Sequence, residues 1–205
     1  MQPSSDVEAA FSADYHQARA RFLEAATAAG ARLRHDACPA RGPRGEALST
    51  DTAWVGEPGA SKVLMVLSGT HGVEGFCGSG FQVDWLRSGL WRDLPADTAA
   101  LFVHAVNPHG FAWLRRVNED NVDLNRNYLD WSRPPPANPG YGEIADALVP
   151  ARLDGPQGAE ADAVLARYRQ QVGEVAFYRA LASGQFVAHL LAVAGQDGVG
   201  LGALR

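Results

Sequence analysis

Apolar residues recur at helical spacing towards both ends of the chain. Residues 6–30 are dominated by Ala, Glu, Arg and Leu, and Tyr15 and Phe22 recur near helical spacing, which predicts a helix that stops near Gly30. Residues 158–184 have the same character and predict a second long helix. The Pro- and Gly-rich segment that follows the first helix predicts short strands and turns, one of them around residues 52–56.

Two continuous apolar runs lie between these helices. Residues 62–68 (KVLMVLS) and 99–107 (AALFVHAVN) have the length and composition of strands that are buried on both faces, as in parallel sheets. Residues 74–91 predict a helix between them, and its inner face is expected to hold Phe81, Trp85 and Leu86. The order of strand, helix and strand predicts a β-α-β unit. His104 interrupts the second run and is expected to be a core residue with a hydrogen-bond partner.

Composition and charge narrow the class of protein. The chain has 205 residues, which fits one domain over 1–205. Its formal net charge of -5 argues against nucleic acid as a partner, because nucleic-acid binders usually present a basic face. Neither a signal peptide nor a membrane-spanning run is visible. We therefore expect a soluble, cytoplasmic protein without a membrane partner.

A polar, Gly-punctuated segment follows the first apolar run and contains His71 and Glu74. Active sites of open α/β sheets form beyond the carboxyl ends of the strands. Zn²⁺ binds His nitrogen and carboxylate oxygen, so these two residues are candidate metal ligands. The alternative interpretation is a His bonded to a carbonyl at the strand end and a Glu near a helix start, where the helix dipole favours it.

A second polar segment follows the second apolar run. Residues 121–127 (NVDLNRN) include Asn125 and Arg126, and the planar fork of Arg suits a bidentate contact with a carboxylate. The alternative is a polar loop whose Asn and Asp side chains bond their own backbone. Arg115 and Arg116 add positive charge and could equally form a solvated surface pair. Taken together, a metal and a carboxylate-binding Arg suit hydrolysis of an amide next to a carboxylate.

These two segments resemble a known family. The stretch GTHGVEGFCGSG, followed by NPHGFAWLRRVNEDNVDLNRNY, resembles the zinc carboxypeptidase-like metallopeptidase superfamily, within it an uncharacterised bacterial branch. Succinylglutamate desuccinylase and aspartoacylase are more distantly similar. The resemblance runs from Thr50 to Tyr128 and weakens towards Gln185. It implies an α/β fold with a mixed, mostly parallel sheet flanked by helices.

The resemblance also implies roles for individual residues. His71 and Glu74 match the first two zinc ligands, and Asn125 and Arg126 match the pair that binds the terminal carboxylate of the substrate. Arg115 or Arg116 falls near the family's oxyanion-stabilising Arg, and Arg116 is preferred. The implied activity is that of a zinc-dependent hydrolase, and the implied substrate is a small molecule or short peptide with a carboxylate, such as an acyl-amino acid.

The sequence also departs from the family pattern. The family uses a later His as third zinc ligand and a still later Glu as general base, yet the one His after Arg126 is His189, in an unrelated context, and the last Glu is Glu174. The chain therefore resembles the front part of a longer family domain, truncated at its C-terminus, with residues 186–205 as an atypical tail. A non-catalytic carboxylate-binding module and an inactive remnant remain the alternatives to a zinc hydrolase.

Overall fold

The computed structural model describes residues 7–183, apart from positions 129, 131, 135, 149 and 153. The chain divides into two compact units, Met1–Asn127 and Tyr128–Arg205. The single domain predicted for residues 1–205 stays a prediction. In the first unit the strands are β1 (Arg32–Arg41), β2 (Ala47–Val55), β3 (Lys62–Leu67) and β4 (Thr98–His104), and the helices are α1 (Tyr15–Ala28), α2 (Gly75–Ser88) and α3 (Pro108–Trp113). The second unit contains α4 (Pro139–Leu148), α5 (Gly155–Val172) and α6 (Glu174–Ala182).

The four strands form one open, mixed sheet in the order β1-β2-β4-β3. β3 and β4 are parallel and are joined through α2, so the predicted β-α-β unit and the α/β class are confirmed. The prediction of a mostly parallel sheet is wrong for the described strands, because β1 pairs antiparallel with β2 and β2 pairs antiparallel with β4. For β1 and β2 the physical reason is the short turn over residues 42–46, which can connect only antiparallel neighbours.

The core lies between α1, α2 and one face of the sheet. The predicted helix over residues 6–30 begins later, at Tyr15, where Asp14 accepts a hydrogen bond from the backbone N–H of Gln17. Tyr15 and Phe22 are buried as their spacing predicts. The buried cluster draws all its members except Ala10 from α1, α2, β2 and β4, and its largest side chains are Phe22, Phe102, Leu86, Val83 and Val55.

β3 is the element whose surroundings differ most from the prediction. Its apolar run predicts burial on both faces, yet Val63 is 47% exposed, Met65 52% and Leu67 51%. β3 is the last strand of the described sheet and pairs with β4 on one side only.

The inner face of α2 also differs from the prediction. Phe81 was expected to lie on that face but is 57% exposed, whereas Leu86 is buried as expected.

The second unit consists of helices in its described part. The single helix predicted over residues 158–184 is two helices, α5 and α6, because Gly173 between them adopts φ +81°. An ordinary L-residue adopts that conformation at a cost, so glycine marks the break. No helix among the residues that the structure describes combines the length and apolar content needed to cross a membrane.

A buried carboxylate on β2 joins β1 and β2 to α1. Asp51 is fully buried, and its two oxygens accept hydrogen bonds from Arg19 Nε at 2.7 Å and Arg19 Nη2 at 3.0 Å. His35 Nδ1 lies 2.6 Å from the same carboxylate, and Ser49 Oγ lies 3.1 Å from it. Burial alone would raise the pKa of Asp51, but the bonds from Arg19 and His35 outweigh it and hold this pKa below its ordinary value.

We expect Asp51→Asn to destabilise the protein by about 2 kcal/mol, because it removes the charge from two charge-assisted hydrogen bonds in a buried position. The free energy of unfolding measured in urea checks this. Asp36→Asn is the matched control, since Asp36 pairs with Arg34 on the surface of the same strand pair. That exposed pair should contribute much less to stability, because solvent screens it. Equal losses in the two variants would contradict the assignment of Asp51 as a stabilising centre.

Candidate functional site

The candidate site lies beyond the carboxyl ends of β3 and β4, which end at the same edge of the sheet because the two strands are parallel and adjacent. Hydrogen bonding between the two chain segments continues past the strands. Val106 N–H donates to the Ser68 carbonyl at 2.9 Å, and Asn107 N–H donates to the Gly69 carbonyl at 2.8 Å. The two polar segments singled out in the sequence therefore leave the sheet side by side.

His71 lies between two carboxylates. Its Nδ1 is 3.1 Å from Glu74 Oε2, and its Nε2 is 3.0 Å from Asp123 Oδ1. The His71 residue is 8% exposed, so the ring is almost enclosed. Because an ionised carboxylate can only accept a hydrogen bond, a proton or a cation is needed in each of these two gaps.

Glu74 lies at the start of α2 but does not act as its cap. It occupies the N-cap position, yet its side chain makes no capping hydrogen bond to the helix. The carboxylate instead faces His71 and is 70% exposed. The alternative interpretation, a Glu placed to suit the helix dipole, accounts for its position along the chain. It does not account for the direction of the carboxylate.

Asp123 is a partner of His71 that the sequence pattern did not indicate. Its Oδ1 faces His71 Nε2, and its Oδ2 accepts from Arg116 Nε at 2.9 Å. Partial burial alone would raise the pKa of Asp123, but the hydrogen bonds from His71 and Arg116 hold it below the ordinary value. Metal-binding His residues usually donate their second N–H to a carboxylate, and a search for such a carboxylate in residues 121–127 would have found Asp123.

The neighbouring residues Arg115 and Arg116 form hydrogen bonds with different partners. Arg116 contacts Asp123, the carboxylate that also faces His71, whereas Arg115 Nη2 donates to Asn121 Oδ1 at 3.0 Å. Asn125 joins this group through its backbone N–H, which donates to Asp123 Oδ1 at 2.9 Å. Arg126 follows on the same short 3-10 turn, Leu124–Arg126, and its Nη1 donates to the Asn125 carbonyl at 3.3 Å.

The donors present match part of a zinc site. His71 Nδ1 and Glu74 Oε2 are 3.1 Å apart, close to the about 3.4 Å that separates two ligand atoms of a tetrahedral zinc ion. Among the residues that the structure describes, no group of three His, Cys, Asp or Glu side chains is arranged to hold a metal ion. His189 lies outside the described residues. Two donors therefore fit zinc, and the described part of the chain does not supply a third.

Comparisons with known proteins give one clear assignment. The chain is similar to the solved structure of Porphyromonas gingivalis glutaminyl cyclase, with 18% identity and a TM-score of 0.35 over 67% of this chain and 57% of that chain. This chain thus spans little more than half of that enzyme. No curated protein matches the chain. The model of a family described as protein of unknown function (DUF2817) matches residues 11–190. Because this match covers most of the chain, the chain belongs to the DUF2817 family.

Proposed function

We propose that the chain has the site of a zinc-dependent hydrolase of the carboxypeptidase type, within a carboxypeptidase-like fold. Its substrate would be an amide next to a free carboxylate, in a small peptide or an acyl-amino acid. His71 and Glu74 would hold the zinc ion. When bound, zinc would polarise the carbonyl of the substrate and lower the pKa of a water molecule.

One observation carries the proposal, namely the position of the His71 ring between Asp123 and Glu74. The ionised carboxylate of Asp123 can only accept a hydrogen bond, which His71 Nε2 would donate. In the neutral ring the lone pair then lies on Nδ1 and is directed towards Glu74. A lone pair and a carboxylate oxygen repel each other unless a proton or a metal ion lies between them. A carboxylate–histidine–metal arrangement satisfies all three groups.

The cations around this pair suit an anionic substrate. Asp123 holds Arg116 by its Nε, which fixes the plane of the guanidinium and leaves its terminal nitrogens as donors for a developing oxyanion. Asn125 and Arg126 would bind the carboxylate of the substrate, with Arg126 supplying a bidentate contact. Asn125 and Arg126 would thus orient the substrate, and Arg116 would stabilise the negative charge that develops on the carbonyl oxygen.

Hydrolysis of N-acyl amino acids by the zinc-loaded chain tests this function. Arg126→Ala should raise KM for a substrate with a free carboxylate by about tenfold to 100-fold, because a charge-assisted hydrogen-bond pair is lost. The same variant should leave KM unchanged for the C-terminally amidated substrate. Arg133→Ala is the matched control, since Arg133 forms a surface pair with Asp130. Absence of any hydrolysis with zinc bound would contradict the proposed activity.

The second candidate is a carboxylate-binding module without catalysis. It is favoured by the lack of a three-donor metal group among the described residues. Arg116, which is held by Asp123, and Arg126 would then form an anion-binding surface, and an inactive remnant of an enzyme would retain the same surface. Isothermal titration with an N-acyl amino acid in the presence of a chelator separates the two functions. Chelator-insensitive binding without hydrolysis supports the module.

A further inference from the structure

The segment that carries His71 touches the segment that carries Arg116 through the backbone. Gly72 N–H donates to the Arg115 carbonyl at 2.9 Å, and Arg115 N–H donates to the Gly110 carbonyl at 2.8 Å. The first of these bonds lies one residue from His71 and one residue from Arg116. The relative position of the two side chains is therefore set by a contact between their immediate neighbours.

Neither glycine in this contact has room for a side chain. A Cβ built on Gly72 would overlap the carbonyl oxygens of Gly110 and Arg115. A Cβ built on Gly110 would lie 2.7 Å from the Arg115 carbonyl oxygen and would overlap the side-chain amide of Asn107. Neither residue has a positive φ, so close approach of the backbone, and not backbone conformation, is the reason for glycine here.

The segment from Gly110 to Arg116, which Gly72 contacts, is held in place by the buried side chain of Asn107. Asn107 is 1% exposed, its Oδ1 accepts from Gly110 N–H at 2.7 Å, and its Nδ2 lies 3.5 Å from the Arg116 carbonyl. The buried amide thus anchors both ends of the segment that Gly72 meets. A displacement caused at Gly72 would have to move the segment that carries His71.

We propose that Gly72 is a positioning residue, which aligns His71 and Arg116 on the two oxygens of Asp123. The contacts from His71 Nε2 to Oδ1 at 3.0 Å and from Arg116 Nε to Oδ2 at 2.9 Å depend on the same spacing between segments. A shift of about 1 Å is enough to disturb such an arrangement. The inference deepens the proposed function, and it rests on that function only for its effect on zinc.

The test compares Gly72→Ala with Gly59→Ala, a control at an exposed position where a Cβ meets no atom within 4 Å. Nitrogen NMR of the His71 imidazole in the metal-free protein reports the bond to Asp123, with Asp123→Asn as the reference for its loss. We expect the Gly72→Ala signals to move towards those of Asp123→Asn, and zinc affinity to fall about tenfold to 100-fold. Gly59→Ala should keep both values of the unmodified chain.

The outcomes separate the two proposals. A folded Gly72→Ala protein with unaltered His71 imidazole signals overturns the positioning role. An unmodified chain that binds no zinc, together with shifted imidazole signals in Gly72→Ala, contradicts the proposed metal chemistry and supports the positioning role. If Gly72→Ala does not fold, the amide of Gly72 in the unmodified chain decides. Slow hydrogen exchange at this amide supports the contact with Arg115, whereas exchange at the rate of an unstructured amide overturns it.

Discussion

His71→Ala is expected to abolish stoichiometric zinc binding by the purified chain. The substitution removes the imidazole whose Nδ1 lies 3.1 Å from Glu74 Oε2, so one of the two donors is lost. The remaining donor, Glu74, is 70% exposed and is too well solvated to hold zinc alone. Affinity should fall by at least about 100-fold, and elemental analysis of the dialysed protein together with a competition titration against a chelator measures it.

The matched control is His16→Ala, which removes an exposed imidazole from the same unit. It should leave zinc content at about one ion per chain, as in the unmodified protein. Equal zinc content in both variants would show that the metal binds elsewhere. Zinc absent from the unmodified chain would contradict the proposed hydrolase and favour the carboxylate-binding module.

Acid is expected to destabilise the protein through His104. This residue is fully buried, stacks on Phe22 and places its Nε2 2.9 Å from Ser79 Oγ, while its Nδ1 has no hydrogen-bond partner among the described residues. Burial lowers the pKa of His104 from 6.5 to about 4. The unfolded chain therefore takes up a proton at a higher pH than the folded chain does.

The sign and size of the effect follow from this shift. The stability contributed by neutral His104 is complete above pH 6.5 and is lost as the pH falls towards about 4. The loss amounts to about 3 kcal/mol, since one pKa unit corresponds to about 1.4 kcal/mol. Asp51 acts in a lower range, because its pKa lies below the ordinary 3.8. Urea unfolding at a series of pH values measures the slope.

His104→Gln should remove this slope, because glutamine does not titrate and can still bond Ser79. Its stability above pH 6.5 should be lower than that of the unmodified chain, but nearly constant down to about pH 4. His16→Gln, at an exposed position, should retain the acid slope in full. An unchanged slope in His104→Gln would assign the acid sensitivity to another group.

Sequence patterns predicted which segments of the site region form strands and helices. They predicted less well what packs against each of those elements. The lengths and apolar content of β3 and β4, with α2 between them, were enough to place both polar segments at one edge of the sheet. Apolar composition shows that a residue favours burial, but it does not identify what covers it. For this reason the prediction of burial failed for β3, in which Val63 and Met65 are half exposed.

The site shows the same division between local and long-range information. His71 and Glu74 are three residues apart, so their convergence is a local property of the turn into α2. The contact of His71 with Asp123 spans 52 positions and depends on the path of the whole segment after β4. The hydrogen bond between Gly72 and Arg115 could not be predicted from side-chain types, because backbone atoms alone form it.

The hydrogen bonds that continue past β3 and β4 have a consequence for folding cooperativity. Val106 and Asn107 bond Ser68 and Gly69 as an extension of the parallel pair, which joins residues far apart in sequence. Parallel pairing of this kind needs the crossover through α2 and joins residues that are distant in sequence, so we expect it to form late in folding and cooperatively. The segments that carry the site should therefore melt together with the sheet on heating, and ligand binding should disappear at the global transition instead of before it.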